Sequence, residues 1–407
     1  MSNNENNEIR DSFTSKTGFI LACIGSAVGM GNIWLFPYRV GQFGGAAFLI
    51  PYIIFIVLLG YTGLMGEFAF GIAVGYAVVV GWFLRFLGGF ITGSAMSAAD
   101  SGAYFGELAS PFGSIIWHLL ALILVSIVLI SGISKGIETM NKIMMPAFYI
   151  LFVIVMVRVF MLDGAFEGIK YLVVPKWSSL MEPKTWIYAL GQAFFSLSLA
   201  GSGMIVYGSY LKRDVDIMSS AKNTVIFDTL GAFLAGLVII PAVFAFNLDP
   251  ASGPPLLFIT IPSVFKLMPF GRLFGVIFFI SVLFASITSL MNLLEVPIEA
   301  VQSTFKLKRK LSVFIVVGAA FIFGLFAEDG NNLGVLMDFV SIYIIPIGAF
   351  IAAVMFFWVI GIEKAKCEIE CGTDKKLGKL FEISAKYVFV FLTIFVFIAG
   401  ILLGGIG

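Results

Sequence analysis

Charge is what this sequence has least of. Asp, Glu, Lys and Arg make up 12% of its 407 residues, about half the share of an ordinary soluble domain. So few charges cannot clothe a water-soluble chain of this length, which excludes a soluble enzyme and a disordered chain. Nucleic-acid binding would need a basic surface, and 25 basic against 24 acidic residues do not supply one. There are three cysteines. Cys23 falls in an apolar run; Cys367 and Cys371 form a pair without further ligands, a poor metal site, so all three read as structural. Walker loops, zinc motifs and nucleophile elbows are absent from the sequence, which leaves ATP-driven transport and enzymatic catalysis without support. Residues 1–16 are polar and mixed in charge, unlike a cleavable leader.

Apolar residues are abundant, at 60%, with a mean hydropathy of +1.04. Their runs are continuous rather than alternating, which argues for membrane-spanning helices and against an outer-membrane barrel. Spans are expected near 17–40, 46–71, 72–90, 113–133, 143–162, 185–210, 223–247, 271–304, 311–328, 335–361 and 385–406, eleven in all. We number them 1 to 11. The turn between spans 2 and 3 is expected at Gly71 or Gly75. Segment 254–268, interrupted by Pro254, Pro255 and Pro262, reads as a re-entrant or capping loop. The chain thus divides into a cytoplasmic segment, 1–16, and one transmembrane domain, 17–406. Basic loops at 134–142, 211–222, 305–310 and 362–386 alternate with less basic ones. The positive-inside rule then places the protein in the cell membrane, N-terminus cytoplasmic and C-terminus extracellular.

Two spans carry glycine clusters: Gly25-Ser26-Ala27-Val28-Gly29-Met30-Gly31-Asn32 in span 1 and Ser196-Leu197-Ser198-Leu199-Ala200-Gly201-Ser202-Gly203 in span 6. One reading is close helix packing through small residues. The other is unwound backbone at membrane depth, tolerated where it lines a cavity. Two clusters five spans apart point to inverted repeats with a binding site at their interface. A broken helix offers N–H groups to a carboxylate at one half and C=O groups to a hard cation such as Na⁺ at the other. Span 8 adds oxygens in Ala285-Ser286-Ile287-Thr288-Ser289.

Ionisable residues within spans are functional candidates by default. Asp228 reads as an ion ligand, as a fixed negative charge standing in for chloride, or as a structural hydrogen-bonding group. Glu67 is expected to tie broken helices together. Glu295 and Glu299, four residues apart, are expected to be structural. His118, the one histidine, follows Trp117 and reads as a membrane-boundary anchor. Most of the 44 phenylalanines are expected to face lipid.

The run from Gly25 through Asn32-Ile33-Trp34-Leu35-Phe36-Pro37-Tyr38, the Gly44-Gly45-Ala46-Ala47-Phe48 that follows, Gln192-Ala193-Phe194-Phe195-Ser196-Leu197-Ser198-Leu199 and Gly136-Ile137-Glu138 resemble the signature of neurotransmitter:sodium symporters. The resemblance covers most of the chain and is closest to the eleven-span prokaryotic branch, which transports amino acids. It implies an all-α polytopic membrane protein built as an inverted five-helix repeat with broken helices 1 and 6. The first repeat would cover about 17–162 and the second about 185–361, with an extra span at 385–406.

The resemblance further implies two Na⁺ sites. The first would use Ala27, Asn32, Ser196 and Asp228; the second Gly25, Val28, Ala285, Thr288 and Ser289. The substrate carboxylate would meet the Met30 and Gly31 amides, with Tyr76, Phe195, Ser198, Gly201, Ser289 and Leu293 completing the pocket. Arg39 and Asp338 would form the outer gate, since Leu35 occupies the usual place of the basic partner. Gly29 stands where amine transporters carry an aspartate, so the expected substrate is an amino acid: neutral, apolar or aromatic. The expected partners are that substrate, Na⁺ and the lipid bilayer, with no organic cofactor and no nucleic acid.

One departure is large. The family places a few dozen residues between the equivalents of Gly71 and Tyr76, and here there are four. The expectation is that the fold draws the turn inward and keeps Tyr76 beside Met30 and Gly31. The competing reading is a non-transporting relative, either a binding or scaffold protein or a deletion product.

Overall fold

The computed structural model describes residues 12–59, 69–197, 203–212, 214–250 and 256–404. Among these there are helices and no strands. Seven helices are long and apolar enough to cross a membrane, and the bent pair Lys16–Ala27 and Gly31–Gln42 makes an eighth span. Ala46–Leu59, Ile115–Ile130 and the two pieces Pro183–Ser196 and Gly203–Ser209 account for the other three of the eleven. The chain is a multi-pass membrane protein. Glu67, Ser198 and Gly201 lie outside the described residues.

Local chemistry sets several helix starts. Ser15 accepts from the Gly18 amide at the head of span 1, Asp216 from Ser219 before span 7, and Asp329 from Asn331 before span 10. Each satisfies an N–H that has no partner within its helix. Span 1 breaks at Val28, whose ψ of 98° is extended, and its halves meet at 50°. Span 1 packs against spans 5, 7 and 8, and span 8 lies along spans 3 and 5. The break is therefore enclosed by helices. Outward, span 4 exposes Ile116, Ile123 and Ile127 and span 9 exposes Phe314 and Phe323. Such apolar surface suits hydrocarbon.

Several expectations need correcting. Gly71 and Gly75 do not form the turn before span 3, because both lie inside the continuous helix Ala69–Thr92. Their missing side chains serve packing: a Cβ on Gly71 would press on Val340, and one on Gly75 on Met337 and Leu333, all in span 10. The expected 134–142 loop is helical. Span 5 begins at Ile133, straight after a sharp turn at Gly132 with φ of +88°. Only glycine adopts that conformation without strain.

His118 is not a boundary anchor. It is fully buried with Glu328, Nδ1 to Oε1 at 3.2 Å, and the Ser114 amide donates to the other carboxylate oxygen. It belongs to the buried stripe His118, Ala121, Leu122, Val125 and Leu129 of span 4, a helical period that outweighs its position at the end of the run.

The phenylalanines are not mostly lipid-facing either. Phe258, in the short helical segment Leu256–Leu267, stacks on Phe105 and Phe83 at 5.0 Å and meets Trp34 and Trp82 edge-on. This segment is packed inside the protein, with Leu256, Leu257, Phe258, Ile261, Val264 and Phe265 all buried. Pro262 sits in the first turn of Ile261–Leu267, where it does not interrupt a helix.

Candidate substrate and cation sites

Asn32, Ser196 and Asp228 come from three spans and meet at the break, all fully buried. Asn32 Nδ2 donates to the Asp228 backbone oxygen and to Oδ1, both at 2.8 Å. Ser196 Oγ donates to Oδ2 at 2.7 Å and lies 3.4 Å from Asn32 Oδ1. The Tyr52 hydroxyl is 3.2 Å from Ser196 Oγ. Both carboxylate oxygens of Asp228 thus accept hydrogen bonds from neutral donors. Among the described residues, no Lys, Arg or His pairs with it. In its ionised form a carboxylate this deeply buried needs a compensating positive charge. The surrounding oxygens suit a hard cation. Ala27, also expected here, ends the first half of span 1 and lines the adjoining pocket.

A second group of oxygens gathers one turn away. Ser289 Oγ donates toward the carbonyls of Gly25 at 3.0 Å, Ser26 at 3.1 Å and Val28 at 3.4 Å. Thr288 Oγ1 donates to Ala285 at 2.8 Å and Phe284 at 3.1 Å. Thr288 also lies against Gly25, where a Cβ would crowd it. These oxygens are neutral and come from span 1 carbonyls and span 8, an arrangement that would favour an alkali cation through dipoles alone.

Between the two groups lies a pocket of about 50 Å³ lined by Ala27, Met30, Gly31, Tyr76, Phe195, Ser289 and Leu293, with Ser26, Gly29, Ile72 and Asn292. The Met30 amide donates to the Tyr76 hydroxyl at 2.9 Å. The short connection before span 3 therefore leaves Tyr76 at the break. Gly29 is required here, since a Cβ would overlap the hydroxyls of Tyr76 and Ser289; at Gly31 it would strike the Phe195 ring. Gln192 Nε2 holds the Gly31 carbonyl at 2.8 Å.

Beyond Met30 and Phe195, which border both spaces, opens a larger cavity of about 440 Å³ with Leu35, Arg39, Tyr188 and Asp338 in its walls. Arg39 lies 4.2 Å over the Tyr188 ring and 3.4 Å from Gln42 Oε1. Among the described residues Arg39 and Asp338 form no ion pair, although they face one cavity.

The sequence reading passed over Asn292, Asn141, Gln192 and Tyr52 as site residues. Asn292 was within reach, since it follows Ser289 by one helical turn on the same face. Asn141 was not. Its Oδ1 is buried beside Gly25 and has no partner among the described residues, a relation between spans 1 and 5 that no local pattern carries. Glu295 and Glu299 do hold structure: Arg309 makes a two-pronged contact with Glu295 at 2.7 and 2.9 Å, and Tyr210 donates to both glutamates. Glu138 accepts from the Thr14 amide, the Thr14 and Ser15 hydroxyls and Lys142, which ties the start of span 1 to span 5.

Residues 10–91 and 105–403 match the family model described as the sodium:neurotransmitter symporter family. An uncharacterized sodium-dependent transporter of Bacillus subtilis is 34% identical, over 93% of this chain and 94% of its own length. That alignment runs 428 positions, more than the 407 residues here, so the relative carries segments this chain lacks. The sodium-dependent serotonin transporter of Drosophila melanogaster is 28% identical over 95% of this chain and 76% of its own. The crystal structure of MhsT in complex with L-phenylalanine superposes with a TM-score of 0.85 at 32% identity, covering 96% of this chain and all of that one.

Proposed function

Because the chain belongs to the sodium:neurotransmitter symporter family, we propose that it is a sodium-coupled symporter of neutral amino acids working by alternating access. The observation that carries this reading is Asp228, a buried carboxylate that accepts from Asn32 and Ser196 and has no cationic partner among the described residues. Na⁺ held by Asn32, Ser196, Asp228 and the Ala27 carbonyl would neutralise it. A second Na⁺ would sit among the carbonyls of Gly25, Val28 and Ala285 and the hydroxyls of Thr288 and Ser289, tying span 1 to span 8.

The substrate carboxylate would take the Met30 and Gly31 amides and the Tyr76 hydroxyl. Its charge would complete the first Na⁺ site, so ion and substrate bind as one unit. Coupling then follows from linkage, since each ligand strengthens the other by the same factor. An amino acid rather than a monoamine is favoured by Gly29, which leaves no carboxylate for a substrate amine, and by the phenylalanine bound in the MhsT structure. Phe195 and Met30, between pocket and outer cavity, would close over the substrate, with Arg39 and Asp338 drawing together outside them. The N-terminus is assigned to the cytoplasm and the C-terminus to the exterior.

Purified protein in proteoliposomes tests the proposal. An inward Na⁺ gradient is expected to drive uptake of a labelled neutral amino acid, K⁺ in its place is expected to give none, and Asp228→Ala is expected to abolish the Na⁺ dependence. Uptake indifferent to Na⁺, or none of any amino acid, would overturn it.

A further inference from the structure

The segment joining spans 5 and 6 is rich in apolar residues although it belongs to neither span. Its helix Ala165–Val173 follows a turn at Gly164, where φ is +83°. Ala165, Gly168 and Leu172 are buried, and the helix packs along span 7. A Cβ on Gly168 would overlap Pro241, and the Tyr171 and Phe244 rings lie 5.2 Å apart. Span 7 ends at Ala245, so these contacts fall in its last two turns. At 29 residues span 7 is about 43 Å long, more than the roughly 30 Å of hydrocarbon in a bilayer. Its ends therefore reach the interfacial layer, and the helix beside them lies at that depth. On its outside, Phe166, Val173, Val174, Trp177 and Met181 are each more than half exposed, following directly on exposed Phe160 and Met161 at the end of span 5.

Apolar side chains at that depth, with a tryptophan among them and Lys170, Lys176 and Lys184 interspersed, fit the boundary between acyl chains and headgroups. The same segment holds the outer end of span 1. The Tyr171 hydroxyl donates to the Gly41 carbonyl at 2.7 Å. Gly44 and Gly45 have φ of +85° and +61°, and a Cβ on them would overlap the Ser179 side chain and the Tyr171 carbonyl. Gly41 lies in the short helix Phe36–Gln42, which carries Arg39. We infer that residues 165–181 form an interfacial anchor whose partner is the phospholipid bilayer. The five apolar side chains sit among the lipids of the leaflet at which spans 5 and 7 end, the outer one in the orientation proposed above. Through Tyr171 and Ser179 the segment ties the second half of span 1 to the height of that interface. The inference does not depend on which substrate is carried.

The test uses the full chain with Cys23 replaced by alanine and Cys367 and Cys371 by serine, carrying Val174→Cys, Met181→Cys or Glu167→Cys labelled with bimane. The protein is placed in liposomes of phosphatidylethanolamine and phosphatidylglycerol. A nitroxide high on the lipid acyl chain is expected to quench the labels of Val174→Cys and Met181→Cys more than aqueous iodide does. Glu167→Cys is expected to show the reverse, since Glu167 lies on the polar face with Lys170. Iodide quenching of the first two as strong as that of Glu167→Cys puts the patch in water, and protection from both quenchers puts a protein against it; either overturns the inference. The tie is read from Leu35→Cys in the same background, in the wall of the outer cavity. Its rate of modification by a membrane-impermeant thiol reagent is expected to differ about threefold or more between dimyristoyl and dieicosenoyl phosphatidylcholine, whose interfaces stand at different heights. Adding Trp177→Ser with Met181→Ser is expected to level that ratio, and Trp177→Ser alone serves if the double variant does not fold. A ratio near one without these changes, or a ratio unmoved by them, overturns the tie.

Discussion

Asn32 and Ser196 act on the same carboxylate from opposite sides, each oxygen of Asp228 having one of them as donor. Alanine at either position should weaken Na⁺ and substrate together, because the two ligands would share the site. A coupling of about 1–3 kcal/mol corresponds to a 5- to 150-fold loss. Substrate affinity measured at sub-saturating Na⁺ reads this directly, and an unchanged affinity in either variant would count against a shared site. Gly29→Ala tests another point. The added carbon has no room beside the hydroxyls of Tyr76 and Ser289, so the variant should lose substrate binding and the second ion together while still folding. Retained substrate binding with the wild-type Na⁺ dependence would show that the break is softer than its packing implies.

At the scale of elements, two polar ties hold broken and long helices in place. Arg309, at the head of span 9, pairs with fully buried Glu295 of span 8. Removing one partner strands the other charge, at a cost of about 3–5 kcal/mol. Arg309→Leu should therefore lower the thermal midpoint sharply, and adding Glu295→Leu should restore much of it; a double variant no better than the single would refute the pairing argument. Glu138 pins the start of span 1 through Thr14 and Ser15. Glu138→Gln should free that end. Buried Cys23 on the same helix should then react several-fold faster with a thiol reagent, in a protein whose Cys367 and Cys371 have been replaced by serine. Unaltered Cys23 reactivity would mean that packing, not this tie, holds the helix. The break in span 1 was visible in its glycines, whereas the tie at Glu138 was not, since its partners are more than 120 residues away.

For the whole molecule, the short connection between spans 2 and 3 matters most. Span 3 is described from Ala69, only seven residues before Tyr76, about two helical turns. Tyr76 still reaches Met30, so in the orientation proposed above the shortening falls on the cytoplasmic side of the site, where the sequence supplies less chain to seal it. Weak coupling is the expected consequence: vesicles should accumulate substrate under a Na⁺ gradient to a low ratio and lose it when diluted. A high, sustained accumulation ratio would overturn this expectation.

Hydropathy, loop charge and glycine clusters are local properties. The sequence alone therefore determined that this is a polytopic helical membrane protein, which spans break, and which family it resembles. Tertiary structure decided what the break is built against. Met30 and Tyr76 are 46 residues apart, Asn32 and Asp228 196, His118 and Glu328 210, and Asn292 and Ser26 266. No residue pattern within one helix records such pairings. They arise because enclosed polar groups, removed from water and lipid alike, must find partners on whatever helix packs beside them. Among the described residues Asn292 and Asn141 each keep one oxygen without a partner, and that too became visible only when the surrounding helices were in place.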